Sequence, residues 1–196
     1  MTETVRSYRQ VARAAATEGL RARVISAFDT AMRDRQMDDI TLDQIAGAAG
    51  TTRQTVIRLF GGKDGLVQAF VERFDLGVKQ RRVMPADASY RHVAEALFED
   101  YEQIGDFVIR MLAQEDRHPV LSIWHNTGRA FHRLWIDRSF ASALPSDPDA
   151  REAMVTQLVI AGDVYTWKLL RRDFKLSVEA ALAIMSSMFA KLLKQD

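Results

Sequence analysis

Residues 53–60 read RQTVIRLF and carry side chains suited to a polyanion. Arg53 and Arg58 can neutralise phosphates or pair bidentately with guanine, and Gln54 can pair with adenine. Thr55 can meet a phosphate or a thymine methyl, and Ile57 shares the outward face if the segment is helical. No carboxylate occurs between Gln44 and Lys63, as a surface that approaches phosphates requires. Other chemistry is weakly supported. Glu115 and His118 have the Glu-x-x-His spacing of di-iron bundles, but a second copy is missing and His118 adjoins Pro119. His118, His125 and His132 are spaced by seven, so neighbours stand about 10 Å apart along a helix, too far to share one ion. With Arg129 between them, His125 and His132 read as a solvated face. No Ser/His/Asp set, P-loop or nucleotide fingerprint is present, so no catalytic residue, cofactor or metal is expected.

The elements that hold residues 53–60 follow from the preceding sequence, AGAAGTTRQTVIRLF. Thr41 and Gln44 have capping-box spacing and open a short helix over about 42–49. Gly50 suits a turn that needs positive φ. Thr52 can cap a second helix over about 53–60. Ala46 permits close approach, and Ile45, Ala49, Val56 and Leu59 or Phe60 supply apolar anchors. This is the pattern of a helix-turn-helix, although an ordinary αα-corner has the same spacing. A first helix over about 21–35 turns Val24, Ala27, Phe28, Ala31 and Met32 to one side. After Gly61-Gly62, a long helix runs to about Arg82 with Leu66, Phe70, Phe74 and Val78 in a row.

Residues 1–20 read as an extended arm or frayed helix bearing Arg6, Arg9 and Arg13. Such an arm can enter a minor groove; a solvated tail is the alternative. Beyond Pro85, helices are expected near 89–104, 106–117, 119–138, 148–172 and 178–194. Pro119 and Pro148 suit first helical positions, and Asp147 and Ser177 suit N-caps. No alternating β pattern is visible. The 196-residue chain has a net charge of +1, which conceals a division. Residues 1–85 hold 14 Lys/Arg against 10 Asp/Glu, and the remainder holds 13 against 16. A basic first part and an acidic second part fit one end meeting a polyanion. The absence of cysteine excludes disulfides and agrees with a cytoplasmic location. No apolar run is long enough for a membrane span, and no secretory signal is visible.

The stretch Ile40 to Phe70, ITLDQIAGAAGTTRQTVIRLFGGKDGLVQAF, resembles the DNA-binding segment of the TetR family of transcriptional regulators. The shared pattern falls on Thr41, Leu42, Ile45, Ala46, Ala49, Gly50, Thr51, Thr52, Phe60 and Lys63. Tyr165 to Ala181 resembles the junction before that family's last helix. The pattern departs at Ile57 and Leu59, where the family often has Tyr and then a polar ring, and at Gly62, where a small polar cap is usual. Phosphate contacts would then rest on Thr52, Thr55, Arg58, Lys63 and the arm, and the DNA-binding set implied is Thr41, Thr52, Arg53, Gln54, Thr55, Ile57, Arg58 and Lys63.

The resemblance implies an all-α chain of three parts: a basic arm (1–20), a helix-turn-helix DNA-binding domain with its connector helix (21–82), and a ligand-binding and dimerisation domain (83–196). It implies a repressor that binds a palindromic operator in double-stranded DNA as a homodimer. Dimerisation would use the helices near 148–172 and 178–194. Val155, Leu158, Gly162, Tyr165 and Leu169 form one stripe there, and Leu182, Met185, Phe189 and Leu192 another, unless both bury within the subunit. A small, mostly apolar effector would sit among the middle helices. Candidate lining residues are Phe98, Tyr101, Phe107, Met111, Trp124, Phe131, Trp135 and Tyr165, with Trp124, Phe131 and Tyr165 foremost, although aromatics and Met at helical spacing are more often plain core.

Overall fold

The computed structural model describes residues 2–83 and 88–193, with side chains from Gln10 onward. Among the described residues every regular element is helical. The main helices are α1 (Thr2–Asp34), α2 (Leu42–Ala48), α3 (Arg53–Phe60), α4 (Lys63–Arg81), α5 (Tyr90–Leu112), α6 (Pro119–Ser139), α7 (Pro148–Ala161), α8 (Val164–Lys168) and α9 (Val178–Leu193). Two compact units divide within α4, Met1–Phe74 and Asp75–Asp196.

The first unit is seated on apolar side chains at helical spacing. Val24, Phe28 and Met32 of α1 are fully buried, with Ile45 and Ala46 of α2, Val56 of α3, and Leu66, Val67 and Phe70 of α4. Phe28 meets Phe70 edge-on, with ring centroids 5.7 Å apart. The expected division between an arm and a first helix is replaced by one 33-residue α1. Ala-rich sequence at 12–16 favours continuation, and nothing between Leu20 and Arg21 breaks a helix. Side chains 10–19 of this helix are exposed.

The second unit packs α5 against α8 and α9, and α6 against α7. Ser89, His118-Pro119, Asp147-Pro148 and Ser177 begin helices as their types suggest; the Asp147 carboxylate accepts from the Ala150 amide at 2.9 Å. Two expected helix boundaries fail. Residues 89–104 and 106–117 are not separate helices, because Gly105 sits inside α5 where the Trp167 ring covers it. The expected helix 148–172 breaks at Gly162-Asp163, where Asp163 caps α8, and continues as a π-helical turn over Leu169–Asp173. Pro85 and residues 194–196 lie outside the described residues.

His125 and His132 do not form a solvated face; both are buried, on the inward side of α6. The two stripes assigned to dimerisation are also largely internal. Val155, Leu158 and Gly162 are buried, as are Met185 and Phe189. Tyr165 and Leu169 remain exposed.

Candidate nucleic-acid interface

Local capping sets the geometry of α2 and α3. The Thr41 hydroxyl accepts the Gln44 amide, and the Gln44 side chain accepts the Thr41 amide at 3.0 Å, a complete capping box. Gly50 turns the chain at φ 65°, and Thr52 caps α3, its hydroxyl accepting the Thr55 amide at 3.3 Å. Two further glycines end α3, Gly61 at φ 78° and Gly62 at φ 139°. These conformations are costly with a Cβ, so chemistry and geometry agree at both turns.

Contacts that the sequence reading missed fix α3 from the other side. Arg21 of α1 donates to the Leu59 carbonyl at 2.7 Å and stands 4.6 Å above the Phe60 ring. It therefore caps the last turn of α3, where carbonyls lack partners and favour a cation. Arg23 donates to the Ala49 carbonyl at the end of α2. Lys63 donates to the Met37 carbonyl, tying the start of α4 to the loop before α2. Gly65 lies where a Cβ would meet the Phe60 carbonyl oxygen at 1.8 Å. Only Gly65 carried a signal, as a helix-disfavouring residue one turn into a helix; nothing in sequence distinguishes Arg21 from any exposed arginine.

The expected interface residues divide accordingly. Arg53, Gln54, Ile57 and Arg58 are exposed on α3. Arg53 approaches Asp43 at 3.6 Å, a solvent-exposed pair that is weak and exchangeable. Thr55 is half-buried and its hydroxyl is 3.0 Å from that of Thr52. Thr41, Thr52 and Lys63 hold the scaffold.

The expected effector residues also separate. Phe98 and Met111 are buried without a polar group to present. Buried Tyr101 donates its hydroxyl to the Gly162 carbonyl at 3.0 Å, and Trp135 donates its indole N–H to the Arg82 carbonyl at 2.7 Å. Trp124 donates to Asp75 at 2.9 Å, and its ring centroid lies 6.2 Å from that of Phe107. Phe131 is half-buried with the Lys79 ammonium 5.9 Å from its ring, and Tyr165 faces solvent. A cleft of ≈ 500 Å³ in the first unit has a mixed lining, with Arg23, Asp34, Arg35 and Gln44 beside Ala27, Ala31 and Ile45, and includes none of the expected effector residues.

A buried polar cluster also escaped the sequence reading. Asp100 is fully buried and accepts from Arg81 at 2.6 Å and Arg82 at 3.0 Å. Arg82 also lies 3.1 Å from His132 Nδ1 and stacks over Tyr101 and Trp135. Arginine only donates, so Nδ1 is an acceptor and the imidazole is neutral. Burial and the Arg82 charge push the His132 pKa down to about 3. Elsewhere, the Glu115 carboxylate is held by Arg129 at 2.6 Å. No group of three or more potential ligands among the described residues could hold a metal ion, and no described helix could cross a membrane.

An all-α chain with a capped helix pair presenting a carboxylate-free helix is a helix-turn-helix architecture. No family profile matches the sequence, and no curated protein is similar to it. Among solved structures, a TetR-family transcriptional regulator from Streptomyces coelicolor is similar at a TM-score of 0.65. It is 21% identical, and the match covers 88% of this chain and 80% of that one. The chain has the TetR-like fold.

Proposed function

We propose that this chain is a one-component transcriptional regulator, acting as a repressor that binds a palindromic operator as a homodimer. The observation that carries the reading is the outward face of α3, where Arg53, Gln54, Ile57 and Arg58 are exposed on a helix capped at both ends. A single reading helix makes too small a contact for a long site, and two-fold symmetry doubles it. Exposed surfaces of α7 and α9 support dimerisation. Ala153, Gln157 and Ile160 face outward on α7, and Ala180, Ala183, Ile184 and Ser187 on α9. These mostly small and uncharged residues allow close helix approach. They replace the buried stripes as the proposed interface, with a second copy as the partner.

A small, mostly apolar effector is proposed near Trp124 and Phe131 in the second unit. It would release the operator only to the extent that it prefers the non-binding conformation. Helix α4 contributes residues to both units and is the proposed route of coupling. A cytoplasmic location is proposed with this role.

Selection of bound sequences from random duplex DNA tests the reading, with a palindrome as the expected result. On the selected operator, Arg58→Ala should weaken binding to all sequences and lower its salt dependence. Gln54→Ala should relax preference at one base position by about 1–3 kcal/mol. Unchanged affinity for both variants would remove α3 as the reading element.

A further inference from the structure

The first five turns of α1 bear the arginines that the interface on α3 does not use. We infer that Thr2–Gly19 is a helical clamp that binds the DNA backbone flanking each half-site, an inference that rests on the DNA-binding reading above. Helical register carries the case. At 100° per residue, position 6 is in line with Val24, position 9 with Ala27 and position 13 with Ala31. Val24 is fully buried in the first unit, and Ala27 and Ala31 are half-buried on the same face. The arginine row at 6, 9 and 13 thus prolongs the very stripe that seats α1. Glu18 lies well off this face, and Glu3 stands at its outer end.

Position along the rod is set by Arg21, which holds the C-terminal end of α3. From there to position 6 the helix rises about 22 Å at 1.5 Å per residue. That length matches about six base-pair steps at 3.4 Å each. The helical form also excludes the groove-inserting mode of extended arms. A helix is about 10–12 Å across, whereas the minor groove is about 6 Å wide. Backbone phosphates remain, and a row of guanidinium groups complements them without reading sequence. Side chains 10–19 are exposed, so Arg13 is not covered within the subunit.

The test compares duplexes ending at the selected operator's edges with duplexes carrying 15 flanking base pairs on each side. Full-length protein should prefer the flanked duplex, and the Arg6→Gln/Arg9→Gln/Arg13→Gln variant should lose that preference. Each lost phosphate contact lowers the salt slope by about 0.9, so three per subunit, six per dimer, make the loss between 50 and 200 mM salt about 2,000-fold smaller. Ala14→Pro keeps every arginine but interrupts the helix, and should abolish the flank preference too. Wild-type behaviour of the triple variant, with Arg58→Ala still weakening binding, overturns the clamp alone. Loss of effect from Arg58→Ala as well overturns the DNA-binding reading itself. Wild-type behaviour of Ala14→Pro overturns the helical form, and a changed sedimentation coefficient of the triple variant without DNA reassigns the row to a subunit contact.

Discussion

At the residue scale, Arg82, Asp100 and His132 form a polar cluster that is buried from solvent. Removing one partner of a buried ion pair leaves the other charge uncompensated, at a cost of about 3–5 kcal/mol. Asp100→Asn should therefore lower the midpoint of denaturant unfolding by a corresponding amount. His132 makes the fold sensitive to acid. Its folded pKa of about 3 is below its ordinary 6.5, so the unfolded chain takes up a proton that the folded chain refuses. Its stabilising contribution is complete above pH 6.5 and declines as pH falls toward 3. His125, lowered chiefly by burial, acts in the same direction. The depressed carboxyls Glu102 and Asp106 add their loss only below their ordinary values, 4.5 and 3.8. Asp75 and Asp163, raised by burial, act in the opposite sense. Unfolding curves of His132→Asn against wild type at pH 7, 6 and 5 should show a shallower decline for the variant. These roles were illegible in sequence because burial decides them. A histidine seven residues from another reads equally as surface or core until the facing helices are known.

At the element scale, short-range signals were the legible ones. Thr41 with Gln44, Thr52 and Asp147 act through bonds to residues three positions away, Gly50, Pro119 and Pro148 through their own backbone conformation, and each lies where its type indicates. Failures came where a distant element decides. Gly105 resembles a helix break until Trp167 arrives from α8. An added Cβ there would lie 2.4 Å from the indole ring, and overpacking of this kind costs about 1–3 kcal/mol. Gly105→Ala should lower the melting temperature and shift Trp fluorescence. The π-helical turn was equally hidden. It lets adjacent Arg171 and Arg172 pair with Glu102 and Asp106, one turn apart on α5, at 2.7 and 2.8 Å. Gly65→Ala would press on the Phe60 carbonyl, a backbone group unable to move without its helix. It should reseat α3 and reduce operator affinity more than tenfold in a gel-shift titration, with unfolding of the second unit unchanged.

At the scale of the whole molecule, fold class and the place of α3 were legible because they depend on helical periodicity and local breaks. Which apolar stripes stay inside was not, since Val155 or Met185 has the same spacing whether its neighbour is its own subunit or another. On the proposed dimer, Ile160→Glu with Ile184→Glu places charge on the exposed surfaces of α7 and α9 and should yield monomers by sedimentation velocity. Both side chains are at least 40% exposed, so the subunit should still fold. Helix α1 has a consequence of its own. Its solvent-facing length ends near Leu20, and Arg21 and Arg23 are fastened to the ends of α3 and α2. A trace of trypsin should therefore trim the chain after Arg6, Arg9 and Arg13 and then stall, leaving a durable fragment that begins at Ala14.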